Sequence, residues 1–218
     1  MAQHAGSGSE GVLVPLTTAF EDGGAQRGGQ SDALVEWYRA LRGYKRSDAE
    51  FAEHSEKLVG ILGVGLHLHV DRLAETLAGS ADRACIVPSK QLRYRKPEGV
   101  VEQPLHRVMQ RIHLPQAMQI VPTLAHSGRE LRHAVDASAF TCIDESVRGE
   151  RVVLVDDSLV TGGSAMSARA CLLAAGAAAV VVVTAARIVR PTFAQEIGAA
   201  DYLDAARVPP DAERWVRE

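Results

Sequence analysis

The sequence predicts an α/β protein built on a doubly wound parallel sheet, with a helical cap on its N-terminal side. Three observations carry that reading. Short, near-continuous apolar runs recur from residue 84 onward, as strands buried on both faces require. Helix-like stretches and short connections separate them. One run, Val152 to Ser164, reads Val-Val-Leu-Val-Asp-Asp-Ser-Leu-Val-Thr-Gly-Gly-Ser, a buried strand that ends on two carboxylates and turns through glycines into an Ala-rich helix.

Residues 1–30 read as a disordered or irregular N-terminal segment, with a short apolar stretch at 11–20 of strand character. Residues 31–80 read as the helical cap. Ser31 and Asp32 can cap a helix to about Tyr44, with Leu34, Val35, Tyr38 and Leu41 on one face. Ser47 or Asp48 can cap a longer helix to about Gly65, with Leu58, Ile61 and Leu62 inward, and a third runs to Leu77 before the Gly79-Ser80 turn. Residues 81–218 form the core, in one structural domain with the cap. Its strands are expected at 84–87, 118–121, 139–143, 152–155 and 179–184, with a last short one at Tyr202-Leu203. Helices are expected at 105–112, 130–137 and 168–175, with Trp215 near a terminal one.

A chain of 218 residues suits one α/β domain with helical additions. Its 46% hydrophobic and 23% charged content is that of a soluble globular protein. A net charge of −3 argues against bulk nucleic-acid or anionic-membrane binding, so any anion site must be local. Cys85, Cys142 and Cys171 are odd in number and widely spaced, which reads as free, buried thiols in a reducing compartment. The first ten residues lack the basic-then-apolar order of a signal peptide, and the apolar stretch 174–186 is too short to span a bilayer. The expectation is a soluble, cytoplasmic protein. His67 and His69 have no partner at zinc spacing.

The chemistry concentrates at two strand ends. A turn rich in glycine and hydroxyls at a helix start presents backbone N–H groups to an anion. Asp156 and Asp157 beside such a cradle cannot hold a phosphate themselves, because like charges repel. They must serve what is attached to it: sugar hydroxyls or a divalent cation. Together these features describe a site for a phosphorylated ribose. A Walker B strand is excluded because no G-x-x-x-x-G-K-[ST] occurs, and Gly60, Gly63 and Gly65 have the wrong order for a dinucleotide fingerprint. Small residues in that helix-like stretch suit close packing instead. The second strand end is Pro88-Ser89-Lys90, followed by Arg93, Arg95 and Lys96, the most basic spot of the chain. Such a tip can bind a polyanion or stand as solvated surface.

The run Val152 to Ser164 resembles the thirteen-residue signature of type I phosphoribosyltransferases, which bind phosphoribosyl pyrophosphate (PRPP). The resemblance implies that Asp156 and Asp157 contact the ribose hydroxyls and act in catalysis, while Ser158, Thr161, Gly162, Gly163 and Ser164 cradle the 5-phosphate. It further implies a pyrophosphate loop at Pro88, Ser89, Lys90 and Arg93, with Lys90 neutralising the leaving group. Arg129 and Arg132 fall where the family has a mobile loop, though a solvated helix face would look the same.

Over residues 34–187 the chain is most similar to ComF-like proteins, while its Asp-Asp-Ser-Leu-Val stretch looks most like the amidophosphoribosyltransferase-like version of the signature. Ala40 to Lys45 looks like the ComF-like Leu-Lys-Tyr helix, Ile86-Val87-Pro88 like its Val-Pro strand end, and residues 179–187 like its strand ending in Ala-Arg. It departs from the ComF-like pattern in lacking the four-cysteine zinc module and the Arg-Gly-Phe-Asn-Gln loop. The expected activity is transfer of phosphoribose from PRPP to a small acceptor with release of pyrophosphate. Mg²⁺ would be held mostly by substrate oxygens and water, with no protein ligand assigned and Asp156 and Asp157 as the candidates. A homodimer is compatible with this reading. The alternatives are a PRPP- or nucleotide-sensing protein without turnover, or an accessory protein of DNA uptake.

Overall fold

Four apolar residues in a row, Val152 to Val155, are each fully buried because strands flank them on both sides and side chains cover both faces. The computed structural model describes residues 13–16, 18–20, 33–46, 48–89, 103–114, 118–129 and 135–189. In chain order these form strands β1 (Leu13–Pro15) and β2 (Thr18–Phe20), then helices α1 (Ala33–Gly43), α2 (Asp48–Leu68) and α3 (Val70–Thr76). Next come β3 (Arg83–Ile86), α4 (Pro104–Met109), β4 (Gln119–Ile120), β5 (Leu124–His126) and β6 (Phe140–Cys142). The described chain ends with β7 (Arg151–Leu159), α5 (Gly163–Ala174) and β8 (Ala179–Val189).

The main sheet has the order β4-β3-β7-β8, and β1 and then β2 run along the outer edge of β8. Every pairing in it is parallel. The protein is therefore α/β with an all-parallel sheet. The apolar stretch at 11–20 contributes β1 and β2, and β8 reaches Val189 rather than Thr184 because those two strands pair alongside it.

Two hydrophobic layers cover the sheet. Leu41, Tyr44, Leu58, Leu62, Leu73, Val108 and Met109 pack with Val153, Val155, Val181 and Val183. The helices from residues 33–76 thus form, with α4, one layer of a common core. Within it Gly65 admits Leu16, since a Cβ there would lie 2.4 Å from the leucine side chain. The other face joins Val152, Leu154, Val180 and Val182 to Ala168, Leu172 and Cys171 of α5.

One expected core strand is placed differently. Residues 139–143 do not join the parallel sheet; β6 pairs antiparallel with β5 in a separate ribbon. Phe140 is buried, Thr141 exposed and Ile143 58% exposed, so this strand has only one covered face. A one-faced strand suits an antiparallel ribbon, whereas a central parallel strand needs both faces covered. Of the helix expected at 130–137, residues 130–134 lie outside the described residues, and a 3₁₀ turn, Ala137–Ala139, follows, capped by Asp136 accepting from the Ser138 amide. Tyr202, Leu203 and Trp215 also lie outside them.

Away from the strand C-terminal ends, Arg83 opens β3 with its side chain 7% exposed. Its guanidinium pairs with Glu150, with Asp144 at 2.6 Å, and with the Ser146 hydroxyl at 2.8 Å. One side chain thereby ties β3 to the segments after β6 and before β7. Among the described residues no helix is long and apolar enough to cross a membrane.

Candidate functional site

The connections define where a ligand can sit. From β3 the chain passes through α4 to β4 on one side, whereas from β7 it passes through α5 to β8 on the other. The strand order therefore reverses between β3 and β7. At such a switch point the outgoing helices lie on opposite faces and leave a crevice at the strand C-terminal ends. Asp156 and Asp157 stand there on β7, and Pro88 and Ser89 stand beside them past the end of β3, where the Val87 amide donates to the Val155 carbonyl at 2.9 Å.

Strand alternation sends the two carboxylates to opposite faces. Asp157 continues the parity of Val153 and Val155 toward the α1–α2 layer, where it is 5% exposed. There Tyr44, one residue past the end of α1, donates its hydroxyl to Asp157 Oδ2, and the Lys45 ammonium pairs with the same oxygen. The Ser158 hydroxyl donates to Asp157 Oδ1 at 2.9 Å. Burial first, and then the Asp157 carboxylate, hold the Tyr44 hydroxyl well above its ordinary pKa, so it remains a donor.

Asp156 follows the parity of Val152 and Leu154, toward the side of α5. Its Oδ1 accepts the Asp157 amide at 2.9 Å. Burial first, and then the Asp157 carboxylate, push Asp156 up to about 8, against the opposing pull of Lys45. A carboxyl whose folded pKa is raised binds more protons in the folded than in the unfolded state between the two pKa values. Stability must then fall with rising pH across that window, here from about 3.8 to about 8. We predict that Asp156→Asn flattens this part of the stability profile. Denaturant midpoints measured at several pH values decide it, and a slope retained in the variant would contradict the assignment.

The turn after β7 leads directly into the N-terminus of α5. Thr161 is exposed, Gly162 and Ser164 are half-buried, and Gly163 is the first residue of α5. Gly162 has φ +79° and makes no side-chain cap, so the first amides of the helix are left without a capping group of that kind. The residue that demands glycine for its backbone is therefore Gly162. We predict that Gly162→Val destabilises the fold by about 2 kcal/mol, since β-branched residues tolerate the left-handed region poorly. An unchanged denaturation midpoint would show that the turn accepts another conformation.

The described site thus brings together Asp156, Asp157, Ser158, the Thr161–Ser164 turn, Pro88 and Ser89. The Ser89 amide donates to the Gln103 side chain at 3.3 Å. Arg129 lies in the segment after β5, where its guanidinium donates to the Ser138 hydroxyl at 2.8 Å. Lys90, Arg93 and Arg132 lie outside the described residues. Sequence reasoning missed the roles of Tyr44 and Lys45, quoted there only as part of a helix. It also missed Thr184, which is fully buried on β8 in register with Asp156 and whose hydroxyl has no partner among the described residues.

Among the described residues no group of three His, Cys, Asp or Glu side chains could hold a metal ion. Asp156 and Asp157, sent to opposite faces of the sheet, could each offer a cation one carboxylate, which leaves most of a coordination sphere to other oxygens and water. No protein-family model, curated protein or solved structure matches the chain.

Proposed function

We propose that the chain is a phosphoribosyltransferase that takes PRPP with Mg²⁺ and transfers phosphoribose to a small acceptor. The carrying observation is the meeting, at one switch point, of a carboxylate pair, a glycine turn opening α5 and the Pro88-Ser89 turn. Amides of the α5 turn, with Ser158, Thr161 and Ser164, would bind the 5-phosphate. Asp156 and Asp157 would bind the ribose hydroxyls, and the Asp157 carboxylate would stabilise positive charge developing on the ring. The C1–oxygen bond breaks with its electron pair leaving on pyrophosphate, and a lone pair of the acceptor forms the new bond to C1. The acceptor's proton passes to solvent or to the leaving group. Mg²⁺ on the pyrophosphate oxygens would spread the leaving charge. Lys90 and Arg93, in the segment after Ser89, are assigned the same task, so catalysis is positioning plus charge neutralisation.

The missing Arg-Gly-Phe-Asn-Gln loop favours a second reading, a PRPP-sensing protein without turnover. Pyrophosphate release from PRPP across a panel of bases and amines separates the two. Turnover with any acceptor establishes the enzyme, whereas tight PRPP binding with no release across the panel supports the sensor. Absence of binding would end both.

A further inference from the structure

Asp157 is already engaged before any ligand arrives. Oδ2 receives both the Tyr44 hydroxyl and the Lys45 ammonium, and Oδ1 receives Ser158. A carboxylate oxygen offers about two lone-pair sites, so Oδ2 is full. A ribose hydroxyl that is to donate there must displace one of its partners. Tyr44 cannot readily leave, being 2% exposed and packed into the core cluster with Leu41 and Leu58. Lys45 can: its side chain is 36% exposed and its charge sits at the end of a flexible stem.

Resting on the phosphoribosyl reading above, we propose that Lys45 is a transferable counter-ion that pairs with Asp157 in the free protein and moves to the pyrophosphate of the incoming ligand. The chemistry of the ligand makes the transfer local. Asp157 is assigned the 2-hydroxyl, on the carbon next to C1, and C1 carries the pyrophosphate. An ammonium released from Oδ2 therefore finds a new anion within the reach of its own side chain. Ribose 5-phosphate offers no anion at C1, so its hydroxyl taking Oδ2 displaces Lys45 without compensation. Lys45 thus discriminates in favour of ligands with a diphosphate at C1, while Tyr44 remains on Asp157 as a positioning residue.

Calorimetric titration of PRPP with Mg²⁺, and separately of ribose 5-phosphate, into the full chain tests this. Lys45→Met is expected to weaken PRPP by about ten- to a hundredfold, the loss of one charge-assisted contact, and to leave ribose 5-phosphate unchanged or tighter. Lys45→Arg should retain most of the PRPP preference, which guards against a folding defect in the first variant. Tyr44→Phe should weaken both ligands by a similar factor. Equal losses for the two ligands in Lys45→Met, or PRPP affinity left unchanged, would overturn the transfer while the phosphoribosyl reading stands. A wild-type protein that binds neither ligand would remove that reading and the transfer with it.

Discussion

Replacing Asp156 and Asp157 together by Asn is expected to abolish the stabilisation that PRPP and Mg²⁺ confer on the wild-type protein. A ligand at a hundredfold excess over its Kd stabilises the folded state by about 2.7 kcal/mol. For a chain of this size that raises the melting temperature by roughly 5–10 °C. Asn keeps an acceptor for the Tyr44 hydroxyl, so the variant should fold while losing the negative charge that attracts ribose hydroxyls and cation. Thermal melts with and without PRPP and Mg²⁺ make the comparison. The same ligand shift in the double variant would place the binding site elsewhere.

A loss of similar size, this time in the unliganded fold, is expected for Arg83→Met. Removing one partner of a buried ion pair costs about 3–5 kcal/mol, because the other charges are left uncompensated. Asp144 and Glu150 retain side-chain exposures of 25% and 29%, so water takes over part of the work and the lower end, about 3 kcal/mol, applies. Against a typical stability of about 5–15 kcal/mol this is a large fraction. Urea unfolding measures it, and a change below about 1 kcal/mol would show that the network is solvated in solution.

Acid should have a related effect. The Ser146 hydroxyl first, and then the Arg83 guanidinium, hold Asp144 down at about 2. A carboxylate depressed in the folded state contributes stability that is present above its unfolded pKa and lost as pH falls toward the folded value. The wild type should therefore lose stability between about pH 4 and 2, and Arg83→Met should lose less over that range.

The alternation of strand and helix after residue 84 was legible because Val152–Val155 and Val180–Val183 are apolar without interruption, a pattern only a doubly covered parallel strand needs. The long second helix was legible for the same local reason, its apolar spacing. Residues 139–143 looked alike in composition but belong to a ribbon, because nothing in a five-residue run states how many of its faces are covered. The end of β8 was likewise set by β1 and β2, which lie far away in the chain.

The candidate site divides in the same way. Asp156, Asp157 and the Thr161–Ser164 turn are nearly contiguous, so their place at one strand end and the turn after it could be read from spacing alone. That Gly162 is the glycine in the left-handed conformation depends on where α5 begins. The engagement of Asp157 by Tyr44 and Lys45 joins residues 113 positions apart in the first case, and it exists only because α1 packs over the face to which Asp157 points. By itself the sequence determined which short segments carry the charge and the glycine turn, because those are local properties of residue type and order. The tertiary structure alone decided which carboxylate is tethered to α1 and which has its pKa raised, because burial and long-range contacts set the energy of a charge.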